Sequence, residues 1–139
     1  MKIKMVVIKD NIEKCVAAGV YGCNEGRAGL NVNRLSELLP GDKIIFYATG
    51  IGKFAGIFEI VDSIYEDHKQ IWKDDIYPYR VKIEPIIYLS KEKWLEVRPL
   101  VKDLSYFKNK VQWSMHFMQN LMNVEECDYK LIKEKMEEA

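Results

Sequence analysis

The amino-acid sequence predicts an α+β fold, a small antiparallel or mixed sheet, curved or closed, with helices packed outside it. Three observations lead there. The chain has 139 residues, 48% of them hydrophobic and 30% charged, which suits one core and one domain over residues 1–139. Strand-type runs separated by turn signals fill its middle. Helix-type spacing follows the first strand and returns in the C-terminal third, so helices would flank the sheet.

Lys4 to Lys9 (KMVVIK) is β-rich and reads as the first strand. Asp10 followed by Glu13 has capping-box spacing, and Ile12, Cys15, Val16 and Gly19 share one helical face, so a helix should end near Gly19. Val20 to Asn33 is rich in Gly and Asn and reads as a long loop beginning with Tyr21. A short helix is expected over Arg34 to Leu39, stopped by Pro40-Gly41-Asp42. Lys43 to Thr49 (KIIFYAT) and Lys53 to Val61 (KFAGIFEIV) then form a hairpin around Gly50-Ile51-Gly52. Those glycines with Gly56 do not make a dinucleotide fingerprint, because the spacing is one residue too long and a strand follows where a helix N-terminus is needed.

Asp62 to Tyr77 is polar and irregular, with Trp72 isolated in it. Tyr79 to Pro85 alternates, Tyr79, Val81 and Ile83 against Arg80, Lys82 and Glu84, as a half-buried antiparallel strand does. Ser90 to Val97 reads as a helix from a Ser cap, and Trp113 to Met122 and Asp128 to Met136 as two more.

Charge narrows the function. Lys+Arg and Asp+Glu both number 21, which argues against a protein gripping duplex DNA through many phosphates. A pocket reader with a local basic patch, a small-molecule site and an interaction module remain. The patch would lie between Ile71 and Trp113, where nine basic residues face six acidic ones. The longest uncharged stretch, Val111 to Val124, carries amides, Ser114 and His116 and cannot span a membrane, and Met5 to Ile8 is too short for a signal sequence, so a cytoplasmic location and no membrane partner are expected.

Cys15, Cys23 and Cys127 are odd in number and widely spaced, which argues for reduced thiols and against a metal site; Cys23 alone has a setting that reads as exposed. His68 reads as a solvated loop residue. His116, between Met115 and Phe117, fits either a satisfied core histidine or a phosphate or base contact. Neither makes a convincing base for a nucleophile, and the adjacent carboxylates Asp74-Asp75 and Glu125-Glu126 point apart, so no enzyme, no cofactor and no catalytic residue is expected.

Aromatic residues beside small or polar ones do stand out: Tyr21-Gly22-Cys23-Asn24, Tyr47-Ala48-Thr49, Lys53-Phe54-Ala55-Gly56, Trp72 and Tyr77-Pro78-Tyr79. A nucleobase binds between aromatic faces, at about 1–3 kcal/mol per stacked base. Phe58 and Tyr79 read more simply as core. Tyr21 and Trp72, in polar segments, are the better walls.

The runs PGDKIIFY (Pro40 to Tyr47) and KFAGIFEI (Lys53 to Ile60), Trp72 followed by YPYRVKIEP (Tyr77 to Pro85), and FKNKVQWSMHF (Phe107 to Phe117) together resemble the EVE domain family, from Met5 to about Met136. The resemblance implies a PUA-like fold, a small β-barrel flanked by helices, related to YTH domains that read a methylated adenine in RNA. It implies that a modified base in DNA or RNA, flipped or single-stranded, is bound in an aromatic pocket. Tyr21-Gly22 would form one wall and Trp72 the facing one, with Phe54 and Ala55 at the floor and Ser114 and His116 at the edge. Asn24 or Thr49 would bond the base edge, and Lys53, Arg80, Lys82, Lys108, Lys110 and His116 would meet phosphates. Tyr21 departs from the Trp common in the family, and Met5-Val6-Val7 stands where many members carry a Trp. The alternatives are a pocket for a free modified nucleoside or nucleotide, and an interaction module using the stripe Met115, Met118, Met122, which also reads as core.

Overall fold

The computed structural model describes residues 1–139. In chain order the elements are β1 (Ile3–Ile8), α1 (Ile12–Ala18), β2 (Val20–Cys23), α2 (Leu30–Ser36), β3 (Lys43–Ala48), β4 (Lys53–Ile60), β5 (Tyr65–Glu66), β6 (Tyr79–Tyr88), β7 (Leu95–Glu96), β8 (Met122–Asn123) and α3 (Glu126–Glu137). The strands pair in the order β2-β6-β4-β3-β1-β8, with β5 on β6 and β7 on β4. Only β1 and β3 run parallel, Ile3 opposite Lys43 and Ile8 opposite Ala48; every other pairing is antiparallel. The sheet is therefore mixed, as α1, β2 and α2 lie between the parallel partners in the chain.

The sheet curls until its ends meet. Tyr21 of β2 packs against Phe46 of β3 with ring centroids 6.1 Å apart, and Asn120, just before β8, donates from Nδ2 to the Tyr21 hydroxyl at 2.7 Å. This half-barrel with flanking helices is the α+β architecture expected. Its core is aromatic and aliphatic, with Phe46, Phe54, Phe58 and Phe107 all buried. Within β6, Pro85 stands at a register shift opposite Phe58, a place where its missing N–H costs no ladder bond. The longest helix, α3, buries Tyr129, Ile132 and Met136 on one side. No helix is long and apolar enough to cross a membrane.

Four elements differ from expectation, three of them through a tertiary partner and one through a local turn. The stretch Val20 to Asn33 holds a strand: β2 pairs with β6 and is buried throughout. The next helix covers Leu30–Ser36 and not Arg34 to Leu39, because Gly29 turns the chain at φ 72° and starts it early. Ser90 to Val97 is not a helix; after a single 3-10 turn at Lys91–Lys93, Leu95 and Glu96 take up the free edge of β4 opposite Phe54 and Lys53. Trp113 to Met122 is helical only as a 3-10 segment, Trp113–Phe117, after which Leu121 at φ 58° reverses the chain into β8. Asn120 secures that reversal, its Oδ1 accepting from the backbone N–H of Val7 at 2.8 Å and of Leu121 at 2.9 Å. The capping box also fails to form: Asn11 holds the N-cap position of α1 without a side-chain cap. Gly19 does end α1, at φ 67°.

Candidate functional site

A cavity of about 260 Å³ opens where the C-terminal end of β1, the start of α1, β2 and the loop between β5 and β6 converge. Its wall includes Tyr21, Gly22, Asn24 and Trp72, four of the residues singled out from sequence, together with Asn11, Cys15, Asn31, Asp74, Tyr77 and Asn120. Of the second group only Tyr77 stands out in the sequence, within Tyr77-Pro78-Tyr79; the others carry no local signal for a binding site. They come from four separate segments, and asparagines in loops are common.

Trp72 is the centre of the arrangement. It was expected in a polar loop, yet its side chain is 1% exposed. The loop folds inward around Arg80, itself 1% exposed, whose guanidinium lies over the indole 5.2 Å from the ring centre. Arg80 donates to the carbonyls of Tyr77 at 3.1 Å, Lys69 at 2.5 Å and Ile76 at 2.9 Å, and so ties both ends of the loop to β6. Tyr77 meets the indole edge-on, at 5.5 Å and 83°. Gly22 makes room for it, since a Cβ there would come within 2.7 Å of both Trp72 Cη2 and the Tyr77 carbonyl oxygen. The result is a wedged indole whose buried Nε1–H has no hydrogen-bond acceptor. The Cys15 thiol is a polar neighbour close enough to act on the indole, and sulfur is a weak acceptor that leaves the N–H without a full hydrogen bond. An orphaned buried donor costs about 1–3 kcal/mol, which a ligand acceptor would recover.

The remaining wall is polar. Asp74 accepts from Asn11 Nδ2 at 2.9 Å and from the Tyr77 hydroxyl. Those two bonds hold the Asp74 carboxyl below its ordinary range, and burial followed by the Asp74 bond pushes the Tyr77 phenol up to about 12. Asn24 donates to Asp75 at 2.9 Å. Burial pushes the Tyr21 phenol well above its usual range. The same cause raises the thiols of Cys15 and Cys23 to about 12, so both are neutral at physiological pH. Cys23 is accordingly buried and not the exposed thiol expected; Cys127 is the exposed one. Lys9, Asp10 and Asp74 are the charged residues of the lining, a balance of one negative charge.

The other expected site residues are dispersed. Phe54 and Ala55 are fully buried within β4 and line no part of this cavity. Phe54 instead meets Tyr47 and Phe117 edge-on. Thr49 and Ser114 border a separate surface depression with Trp113. Among the expected phosphate contacts, Arg80 is spent on loop carbonyls, and Lys82 is exposed and pairs with Asp62 at 3.8 Å. Lys110 caps the carbonyls of Val101 and Leu104 at 2.9 and 2.6 Å. His116 accepts at Nε2 from the Asn109 N–H at 3.1 Å, so that nitrogen is unavailable to a phosphate while the ring is neutral. Lys53 starts β4 opposite Glu96. Lys108 and His116 lie in a groove on the α3 side, away from the cavity. Met115 and Met118 are not core: Met118 is 84% exposed and both face that groove. His68 is exposed beside Glu66.

Residues 5–135 match the family model described as the EVE domain. A UPF0310 protein of Pyrococcus horikoshii is 39% identical over 116 residues, covering 73% of this chain and 77% of its own. Among solved structures, the chain resembles the YTH domain of Zygosaccharomyces rouxii MRB1 in complex with N6-methyladenosine RNA, with a TM-score of 0.70, 16% identity and coverage of 97% of this chain and 86% of that one. It also resembles the YTH domain-containing protein mmi1 in a complex with RNA, with a TM-score of 0.71, 12% identity and coverage of 97% and 80%. At such identities these two likenesses establish the shared fold.

Proposed function

Since the chain belongs to the EVE domain family, we propose that it is a reader of modified nucleobases in DNA or RNA, taking one flipped or single-stranded base into the cavity beside Trp72. The observation that carries this reading is the buried, unpartnered Nε1–H of Trp72 at a cavity whose lining combines asparagine amides, tyrosines and neutral thiols with Lys9, Asp10 and Asp74. A base offers ring nitrogens and carbonyls as acceptors and exocyclic amines as donors, which indole N–H and asparagine amides match. The volume of about 260 Å³ is below the range of about 300–1,000 Å³ usual for drug-sized ligands and suits a base more than a whole nucleotide. The protonated thiols of Cys15 and Cys23 support binding without turnover, since neither is a nucleophilic thiolate at neutral pH. A fold shared with domains whose solved complexes hold RNA, one of them N6-methyladenosine RNA, supports the same class of ligand.

In this reading Tyr21 and Trp72 bound the base, and Asn24 or Asn31 reads its edge. Because Arg80 covers an indole face, the Trp72 N–H contributes to selection beside any stacking. Binding is tested with a panel of modified and unmodified single-stranded oligonucleotides. The native chain should prefer one modified member, and Trp72→Phe, which keeps an aromatic ring and loses the N–H, should cost about tenfold in that preference. Asn24→Ala, whose only partner is the exposed Asp75, should weaken binding without unfolding the chain. Equal affinity across the panel, or preference untouched in both variants, would refute the reading.

One observation favours a second reading, uptake of a free modified nucleoside. The lining carries Lys9 against Asp10 and Asp74 and so offers phosphate no net attraction. If affinity is unaffected by flanking nucleotides and by salt, this second reading replaces the first.

A further inference from the structure

None of the cations that sequence assigned to phosphates lines the cavity, but one of them, Lys110, borders a surface depression with two cations the sequence did not single out. The depression that holds Thr49 and Ser114 shares Arg98 and Trp113 with a neighbouring one that adds Lys102, Lys110 and Val111. Together they make one continuous groove. Arg98 and Lys102 are exposed, and no carboxylate engages either of them. Lys110 adds its charge from a fixed place, and Glu96 is the one acidic residue of the lining. Trp113 is half-buried and held edge-on by Phe107 at 6.0 Å and 82° and by Phe117 at 6.3 Å and 88°, so its ring is a rigid platform.

The groove adjoins the cavity. Thr49 in the groove donates its backbone N–H to the carbonyl of Ile8 in the cavity wall at 3.0 Å. Met118 in the groove and Asn120 in the cavity are two residues apart, at most about 7 Å of chain. A strand with one base in the cavity would meet the groove with its next nucleotides.

We propose that this groove is the backbone track for a single-stranded nucleic acid, with Arg98 and Lys102 on phosphates and Trp113 under one unpaired base. Unpaired cations beside a fixed aromatic face suit that ligand, which carries repeating charge and exposed bases. The proposal rests on the reader function and supplies the cations that the cavity lacks.

The test uses the full chain and a short labelled single-stranded oligonucleotide of mixed sequence, with affinity measured across a salt series. The double variant Arg98→Gln, Lys102→Gln should bind about tenfold more weakly and flatten the slope of log affinity against log salt by about 1.4, two phosphates at about 0.7 each. The variant Lys130→Gln, Lys133→Gln on α3 removes the same charge elsewhere and should change neither. Trp113→Leu should lose about tenfold at an unchanged slope, because stacking carries no charge. Affinity and slope in the double variant that match the α3 variant would overturn the groove and leave the cavity reading standing. Oligonucleotide binding that depends on Arg98 and Lys102 but not on Trp72 or Asn24 would overturn the cavity reading alone. No oligonucleotide binding by the native chain would overturn both.

Discussion

Replacing Arg80 by Met tests the account of how the cavity is built. Arg80 is 1% exposed and donates to three loop carbonyls at 3.1, 2.5 and 2.9 Å while lying over Trp72. Methionine keeps most of the apolar stem and removes the cation. Hydrogen bonds to charged groups contribute about 1.5–3 kcal/mol each, but the released carbonyls belong to a surface loop and regain water, so a net loss of ~3 kcal/mol is expected. For a chain of this length that lowers the melting temperature by about 10 °C. Urea titration gives the global loss, and amide hydrogen exchange over residues 62–78 shows whether it concentrates in the loop. Lys82→Met is the internal comparison: Lys82 pairs with Asp62 at 3.8 Å with both side chains 58% exposed, so its loss should stay below about 0.5 kcal/mol. A cost for Arg80→Met no larger than that, with loop exchange unchanged, would refute the claim that this guanidinium holds Trp72 in place.

Two further outcomes follow from the electrostatics. In the native state only Cys127 should react with a thiol reagent near pH 8, because burial holds Cys15 and Cys23 at about 12; three thiols reacting at similar rates before unfolding would contradict this. The Glu37 carboxyl is held below its ordinary range by the hydrogen bond and charge of the buried Lys4, 2.6 Å away. A carboxyl depressed in the folded state contributes stability above its unfolded pKa, and that contribution is lost as the pH falls through the folded value. Melting temperature against pH should therefore drop on the acid side of about pH 4.5, and Glu37→Gln should flatten that limb; identical acid limbs would remove Glu37 from the account.

Much of the architecture was legible because it is written in local pattern. β1, β3, β4 and β6 were visible as apolar or alternating runs bounded by turns, Gly19 as a helix stop, and α3 as an amphipathic stretch. Apart from the helix that Gly29 starts early, the misread segments had a partner distant in sequence. Val20 to Cys23 looks like a loop until β6 offers it a ladder, and Leu95-Glu96 looks helical until the edge of β4 does. Residues 113–122 have helical spacing, but Asn120 bonds Val7 more than 100 positions away and turns the chain into a strand.

Sequence by itself determined the fold class, the family motifs and the aromatic residues at issue, since these depend on periodicity, turn chemistry and residue type. Tertiary structure alone decided what each charge and ring is available to do. Arg80 and Lys82 share one face by alternation, yet only Arg80 falls under the folded-in loop and is consumed by it, whereas Lys82 stays in water. Trp72 in a polar loop became a buried wedge with an unanswered N–H, and Arg98, Lys102 and Trp113, far apart in pattern, came to line neighbouring surface depressions. The physical reason is the same throughout: burial and hydrogen-bond partnership are set by segments remote in sequence, and together they determine whether a side chain is structure or site.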